Sequence, residues 1–149
     1  MKIEEAIKQS HFQNEIEKVL INVIYTGNHF HNLYMKMFKV YGISPEQYNV
    51  LRILRGSNPK KLSVLEISSR MLDKNSNATR LVEKLRLKGQ IERNICPNDR
   101  RQVEIGITNG GLELLKTIDV ESKSWMNSYS QLTGEEAIQL NHLLDKMRC

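Results

Sequence analysis

The residues best placed to do chemistry lie in the run Ser76-Asn77-Ala78-Thr79-Arg80-Leu81-Val82-Glu83-Lys84-Leu85-Arg86-Leu87-Lys88. At helical periodicity Ala78, Leu81, Val82 and Leu85 share one apolar stripe. The opposite arc carries Ser76, Arg80, Glu83, Lys84 and Leu87, with Asn77 and Thr79 flanking its start. Hydroxyl, amide and guanidinium groups in that order are suited to base edges in a major groove, while lysines and a helix N-terminus meet phosphates. Leu87 fits this arc poorly and is expected beyond the contact, on the protein side. The plain alternative is an exposed polar helix face.

A second cationic group, Arg100 and Arg101, falls at the tip of two alternating segments, Ile91-x-Arg93-x-Ile95 and Val103-x-Ile105-x-Ile107. A guanidinium carried on a stiff two-stranded support can enter a narrow minor groove and sense its width. Phosphate would repel Asp99, whose expected work is to hold a neighbouring arginine by a charge-assisted hydrogen bond. The alternative is an ordinary solvated turn.

The charge balance fits both groups. The chain has 149 residues and a formal charge of +5. Residues 60–101 carry eleven basic and five acidic side chains, a net +6, which leaves the other 107 residues at −1. Clustering of this kind is the electrostatic footprint expected of a polyanion partner, and the plain alternative is a solvated basic face.

The surrounding sequence supplies the elements that position these groups. Apolar residues from Phe12 to Met37 recur at three- and four-residue spacing, so the first forty residues read as one long helix, interrupted at Gly27. Ser44-Pro45 starts the next helix, about Pro45 to Arg55, with Tyr48, Leu51, Ile53 and Leu54 inward. Ser63-x-x-Glu66 has capping-box spacing and opens a short helix ending near Leu72. Asp73-Lys74-Asn75 then turns the chain, and Ser76 or Asn75 is the expected cap of the helix that runs to Lys88 and stops at Gly89. After the hairpin, Thr108 is the expected cap of one amphipathic helix, and Thr133 precedes a last one. The fold class is therefore mainly α with a small β-hairpin wing: a single domain over residues 1–149, with a winged helix-turn-helix lobe at 45–107. The flanking segments 1–41 and 108–149 have apolar faces with no partner in so small a lobe, and are expected to pack on each other and on a second subunit.

The run from Asp73 to Gly89 resembles the recognition helix of the MarR (multiple antibiotic resistance regulator) family. Asn98-Asp99-Arg100-Arg101, followed by Ile107-Thr108 and Gly111, is similar to that family's wing signature. Ile107 stands where leucine is usual, and Asn109-Gly110 where a charged or proline-containing pair is commoner, which implies a looser start to the helix after the wing. The resemblance implies a cytoplasmic, homodimeric transcription regulator, most often a repressor. Its partner would be a pseudo-palindromic operator in double-stranded DNA, with two recognition helices about 34 Å apart. Arg101 would enter the minor groove, supported by Asp99.

The resemblance also implies release by a small, often aromatic, inducer held between the dimer helices and the winged lobe. Its lining would include His29, His31, Tyr34, Tyr48 and Arg52, and a cation beside aromatic walls would suit an anionic aromatic ligand. The alternative places Tyr34 and Tyr48 in the core. Cys96 and Cys149 are too few for a disulfide framework. Cys96, at the root of the wing, reads as an ordinary strand-end thiol rather than a redox centre. Residues two apart diverge on a helix, so His29 and His31 make a poor metal pair. No catalytic constellation, cofactor motif or membrane-length apolar run is present, so the expectation is no enzyme, no cofactor, no metal and no membrane partner. Two other readings stay open: a winged-helix protein-interaction module, and a non-specific architectural DNA-binding protein.

Overall fold

The computed structural model describes the backbone of residues 1–96, 99–129 and 131–148, and the side chains within these except those of residues 95, 96, 99–102 and 125–129. Its order is α1 (Ile3–Ile7), α2 (Glu15–Lys39), α3 (Pro45–Ser57), α4 (Val64–Arg70), α5 (Ala78–Leu87), β1 (Ile91–Cys96), β2 (Asp99–Ile107), α6 (Asn109–Tyr129) and α7 (Gly134–Lys146).

The expectation of one helix over the first forty residues is corrected. Lys8 turns the chain with a left-handed φ of 54°, and a new helix starts at Asn14, whose side chain accepts the Glu17 N–H. An Asn-x-x-Glu spacing was therefore present in the sequence as a start signal. Gly27 does not interrupt α2, which runs through it unbroken. The short α1 folds back so that Ile3 is buried and Glu4 pairs with Lys18.

Capping chemistry sets most other boundaries. Ser44 and Gln47 close a capping box on α3, Ser63 and Glu66 on α4, and Thr133 and Glu136 on α7. The helix Ser63 opens ends at Arg70, two residues earlier than expected. The core lies in the winged lobe. Val50, Leu51 and Leu54 of α3, Ile67 of α4, and Val82 and Leu85 of α5 pack with Ile91, Ile105, Leu115 and Ile118. Tyr48 and Ile53 are only partly buried against this cluster, while Val50 and Gln47 are buried outright.

β1 and β2 form an antiparallel hairpin in the register Ile91↔Ile107, Arg93↔Ile105 and Ile95↔Val103, with an irregularity between Ile95 and Cys96. Leu62 bridges to Ile105 and adds a third rung at the base of the wing. Thr108 then joins wing to helix: its hydroxyl donates to the Gly89 carbonyl at 2.7 Å and accepts the Gly111 N–H at 3.2 Å. The start of α6 is not loose. A Cβ on Gly111 would lie 2.2 Å from the Gln90 carbonyl oxygen and 2.8 Å from Ile107 Cγ1, so the helix sits directly on the preceding backbone.

Candidate nucleic-acid interface

The polar arc begins in the turn between α4 and α5. Asp73 Oδ1 accepts the Asn75 N–H at 2.9 Å, and Oδ2 accepts the Ser76 hydroxyl at 2.8 Å. These bonds, the backbone one first, hold the Asp73 carboxyl below the usual carboxylate range. With Asn75 and Ser76 engaged, the cap of α5 falls to Asn77, whose side chain accepts the Arg80 N–H at 3.0 Å. The expected cap, Ser76 or Asn75, is thus displaced by one or two residues: Asp73 holds the Ser76 hydroxyl in its own turn, and Asn77 is the residue that meets the Arg80 N–H.

Along α5, Ala78, Val82 and Leu85 are buried and Leu81 is partly buried, as the apolar stripe requires. Thr79, Arg80 and Lys84 are exposed together on the outer face, with Ser76 half-buried and Asn77 exposed at its head. Glu83 is drawn aside by Arg86, which donates to it from Nη2 at 2.7 Å and from Nε at 3.0 Å. That pairing neutralises the only carboxylate on the arc and leaves Arg80 and Lys84 to set its charge. Leu87 is 72% exposed rather than covered by protein. It borders an open cleft of about 590 Å³ with Met35 and Lys39 of α2, Lys84 of α5 and Lys88 just after it. Lys88 donates across that cleft to the Gly42 carbonyl.

Asp99, Arg100 and Arg101 lie on β2, but their side chains fall outside the described residues, as does the Cys96 thiol. The base of the wing is fixed by Lys61, whose ammonium is 2.7 Å from Glu92. The strand carrying Arg100 and Arg101 therefore leaves the lobe from an anchored root.

The expected ligand residues separate into two groups. Phe38 stacks on Tyr34 at 5.6 Å and on Tyr48 at 4.4 Å, and the Arg52 guanidinium stands 5.9 Å from the Tyr48 ring centre. This column ties α2 to α3. Tyr34 and His31 also line a separate cavity of about 240 Å³, which His29, Tyr48 and Arg52 do not reach. His29 meets Phe30 edge to face. Among the described residues no three His, Cys, Asp or Glu side chains gather as a metal-binding group.

A helix-turn-helix whose second helix offers an exposed polar and cationic arc, followed by a two-stranded wing, defines a winged-helix DNA-binding protein. The MarR family profile matches residues 43–103, from the start of α3 into β2. The HTH-type transcriptional regulator YkoM of Bacillus subtilis is 33% identical over 109 residues, which cover 72% of this chain and 70% of that protein. The HTH-type transcriptional repressor MdtR of the same organism is 33% identical over 71% of this chain and 68% of its own. The chain belongs to the MarR family of transcriptional regulators. It spans between 62% and 70% of the lengths of the curated relatives it matches.

Solved structures agree with this fold. A MarR-like transcription regulator from Bacillus cereus has a TM-score of 0.76 at 26% identity, covering 91% of this chain and 97% of that one. The S. aureus MepR–DNA complex has a TM-score of 0.71 at 21% identity, covering 85% and 91%, a likeness of fold. No helix among the described residues is long and apolar enough to cross a membrane.

Proposed function

We propose that this regulator is a cytoplasmic homodimeric repressor, not an enzyme, that holds a pseudo-palindromic operator and releases it when a small-molecule inducer binds. The observation that carries the DNA reading is the exposed row Thr79, Arg80 and Lys84 on α5, cleared of negative charge by the Arg86–Glu83 pair. In this reading α5 enters the major groove. Thr79 and Arg80 reach base edges, Lys84 meets phosphate, and Ser76 and Asn77 order the turn while presenting their remaining polar atoms to the backbone. Arg100 and Arg101 on β2 reach the minor groove, with Asp99 as the support of Arg101.

The dimer reading rests on apolar surface left open outside the lobe. On α2, Ile16 is 70% exposed and Ile24 64%, and α7 buries no residue at all. Residues 1–41 and 108–149 would then be the dimerisation segments around the lobe at 45–107. A second subunit covering those faces would place two copies of α5 about one turn of DNA apart. MdtR, a repressor by name, supports repression as the default sense.

The test is selection of genomic fragments by the purified protein at moderate salt. Enrichment of an inverted repeat with half-sites about ten base pairs apart is the expected result. Uniform binding that vanishes with added salt would replace this reading with an architectural role. On the selected operator, Arg80→Ala should cost about 1–3 kcal/mol and relax the preferred sequence, whereas Arg101→Ala should weaken every operator that has a narrow groove. Unchanged affinity for both variants would defeat the assignment of contacts.

A further inference from the structure

Where α2 crosses the start of α3 and the Asp73 turn, the 240 Å³ cavity has a lining of definite character. Phe30, Tyr34 and Met71 supply apolar and aromatic wall, and the ionisable groups are Glu46, Asp73 and His31. The one cation expected beside this site, Arg52, stands over the Tyr48 ring instead and is no part of the lining. Aromatic faces carry negative charge density and attract ammonium groups, most strongly where water is excluded. Two carboxylates beside them add direct Coulomb attraction. The volume is below the roughly 300–1,000 Å³ of sites for drug-sized molecules, so it suits one ring with a small substituent.

We propose that this cavity binds a small aromatic cation, of the amine or quaternary-ammonium class, with Phe30 and Tyr34 against its apolar body and Glu46 and Asp73 beside its charge. The proposal rests on the inducer-released reading above and names the ligand class for it. It reverses the charge that Tyr48 and Arg52 suggested from the sequence alone.

The same residues connect the cavity to the DNA-facing helix. Asp73 organises the turn through the Asn75 N–H and the Ser76 hydroxyl, and Asn49 accepts the Leu72 N–H at 2.9 Å from the α3 side. The cap of α5, Asn77, is the next residue after Ser76. A cation drawn to the Asp73 carboxylate competes with the two donors that hold this turn. Occupancy would therefore loosen the point from which α5 is aimed.

The test uses the full-length protein without DNA and three probes of similar size: benzyltrimethylammonium, neutral N,N-dimethylbenzamide and anionic phenylacetate. Calorimetric titration should give at least tenfold tighter binding of the cation than of either other probe. Glu46→Gln should weaken the cation about five- to tenfold while leaving the neutral probe within twofold, and Phe30→Ala should weaken both. Melting curves verify that each variant is folded. Preference for phenylacetate, or a cation affinity untouched by Glu46→Gln, would overturn the proposal.

A second arm adds benzyltrimethylammonium to the wild-type protein on its selected operator, at ionic strength matched with sodium chloride. Release at concentrations that fill the site supports both readings. Binding through Glu46 with the operator still held would uphold the site and overturn inducer release through it. Release by phenylacetate alone would do the reverse.

Discussion

At the scale of single residues, Gly111 and Tyr41 make the sharpest demands on the fold. Gly111 stood out in the sequence as part of a wing signature, but a signature does not say why glycine is needed. The reason is the Gln90 carbonyl, 2.2 Å from where a Cβ would be placed. Backbone cannot swing aside as a flexible side chain can, so Gly111→Ala should cost about 3 kcal/mol, measurable by urea denaturation. Tyr41, between α2 and α3, has an enclosed hydroxyl with no hydrogen-bond partner at bonding distance. Burial first, and the Glu121 carboxylate of α6 second, push its pKa up to about 12. The folded state thus keeps a proton that the unfolded state gives up near pH 10. Stability from this residue is intact below pH 10 and is lost as pH rises towards 12. Tyr41→Phe should remove that alkaline loss. A variant whose alkaline melting curve follows the wild type would refute this.

At the scale of elements, local chemistry was readable where a cap and an apolar stripe agreed. Ser63-x-x-Glu66 and Ser44-Pro45 gave starts that the structure keeps, and the helix expected after Thr133 begins there. One failure came where several neighbouring polar residues could each serve as a cap. Asp73, Asn75, Ser76 and Asn77 are all able to cap, and spacing alone does not say that Asp73 takes Asn75 and Ser76 and leaves α5 to Asn77. Likewise, an apolar period that continues through Phe12 hides the break before Asn14. The ligand site was half legible: Tyr34 and His31 line a cavity, but the turn residues Met71 and Asp73 that complete it arrive only through tertiary folding. The capping boxes have a measurable consequence. Ser63 holds the Glu66 carboxyl below its ordinary range through the backbone N–H first and the hydroxyl second. A depressed folded-state pKa contributes stability above the unfolded value near pH 4.3 and loses it as pH falls through the folded one. Ser63→Ala should therefore lower the melting temperature at pH 7 and lower it by less at pH 3, when melts are compared at the two pH values.

At the scale of the whole molecule, the distribution of apolar surface decides what the chain does in solution. The core of the winged lobe is closed, with Leu51, Leu54, Leu62, Ile67 and Leu85 fully buried and Phe38 of α2 and Leu115 and Ile118 of α6 completing it. The outer faces of α2 and α7 are not covered. Val19, Leu20, Val23 and Ile24 leave 40–64% of their surface open along α2, and Leu140 and Leu143 of α7, with Met147 just after it, leave 43–49% open. Exposed apolar rows on two helices are uncommon on a stable monomer and fit the interface of the proposed dimer. A partner that removes them from water must present complementary apolar helices, and a second copy of α2 and α7 does so by two-fold symmetry. If so, stability is inseparable from protomer concentration. The melting temperature should rise with protein concentration, and sedimentation should give a dimer at micromolar levels. Ile24→Glu on α2 and Leu143→Glu on α7 should each shift the species to monomer by burying an unpaired carboxylate in the interface. Neither residue touches the core of the lobe, so the helical signal of the lobe should survive. Operator affinity should fall by orders of magnitude, because a monomer engages one half-site and forfeits the effective concentration that the second α5 enjoys. A variant that sediments as monomer yet binds the full operator as tightly as wild type would break the link between dimer geometry and DNA recognition.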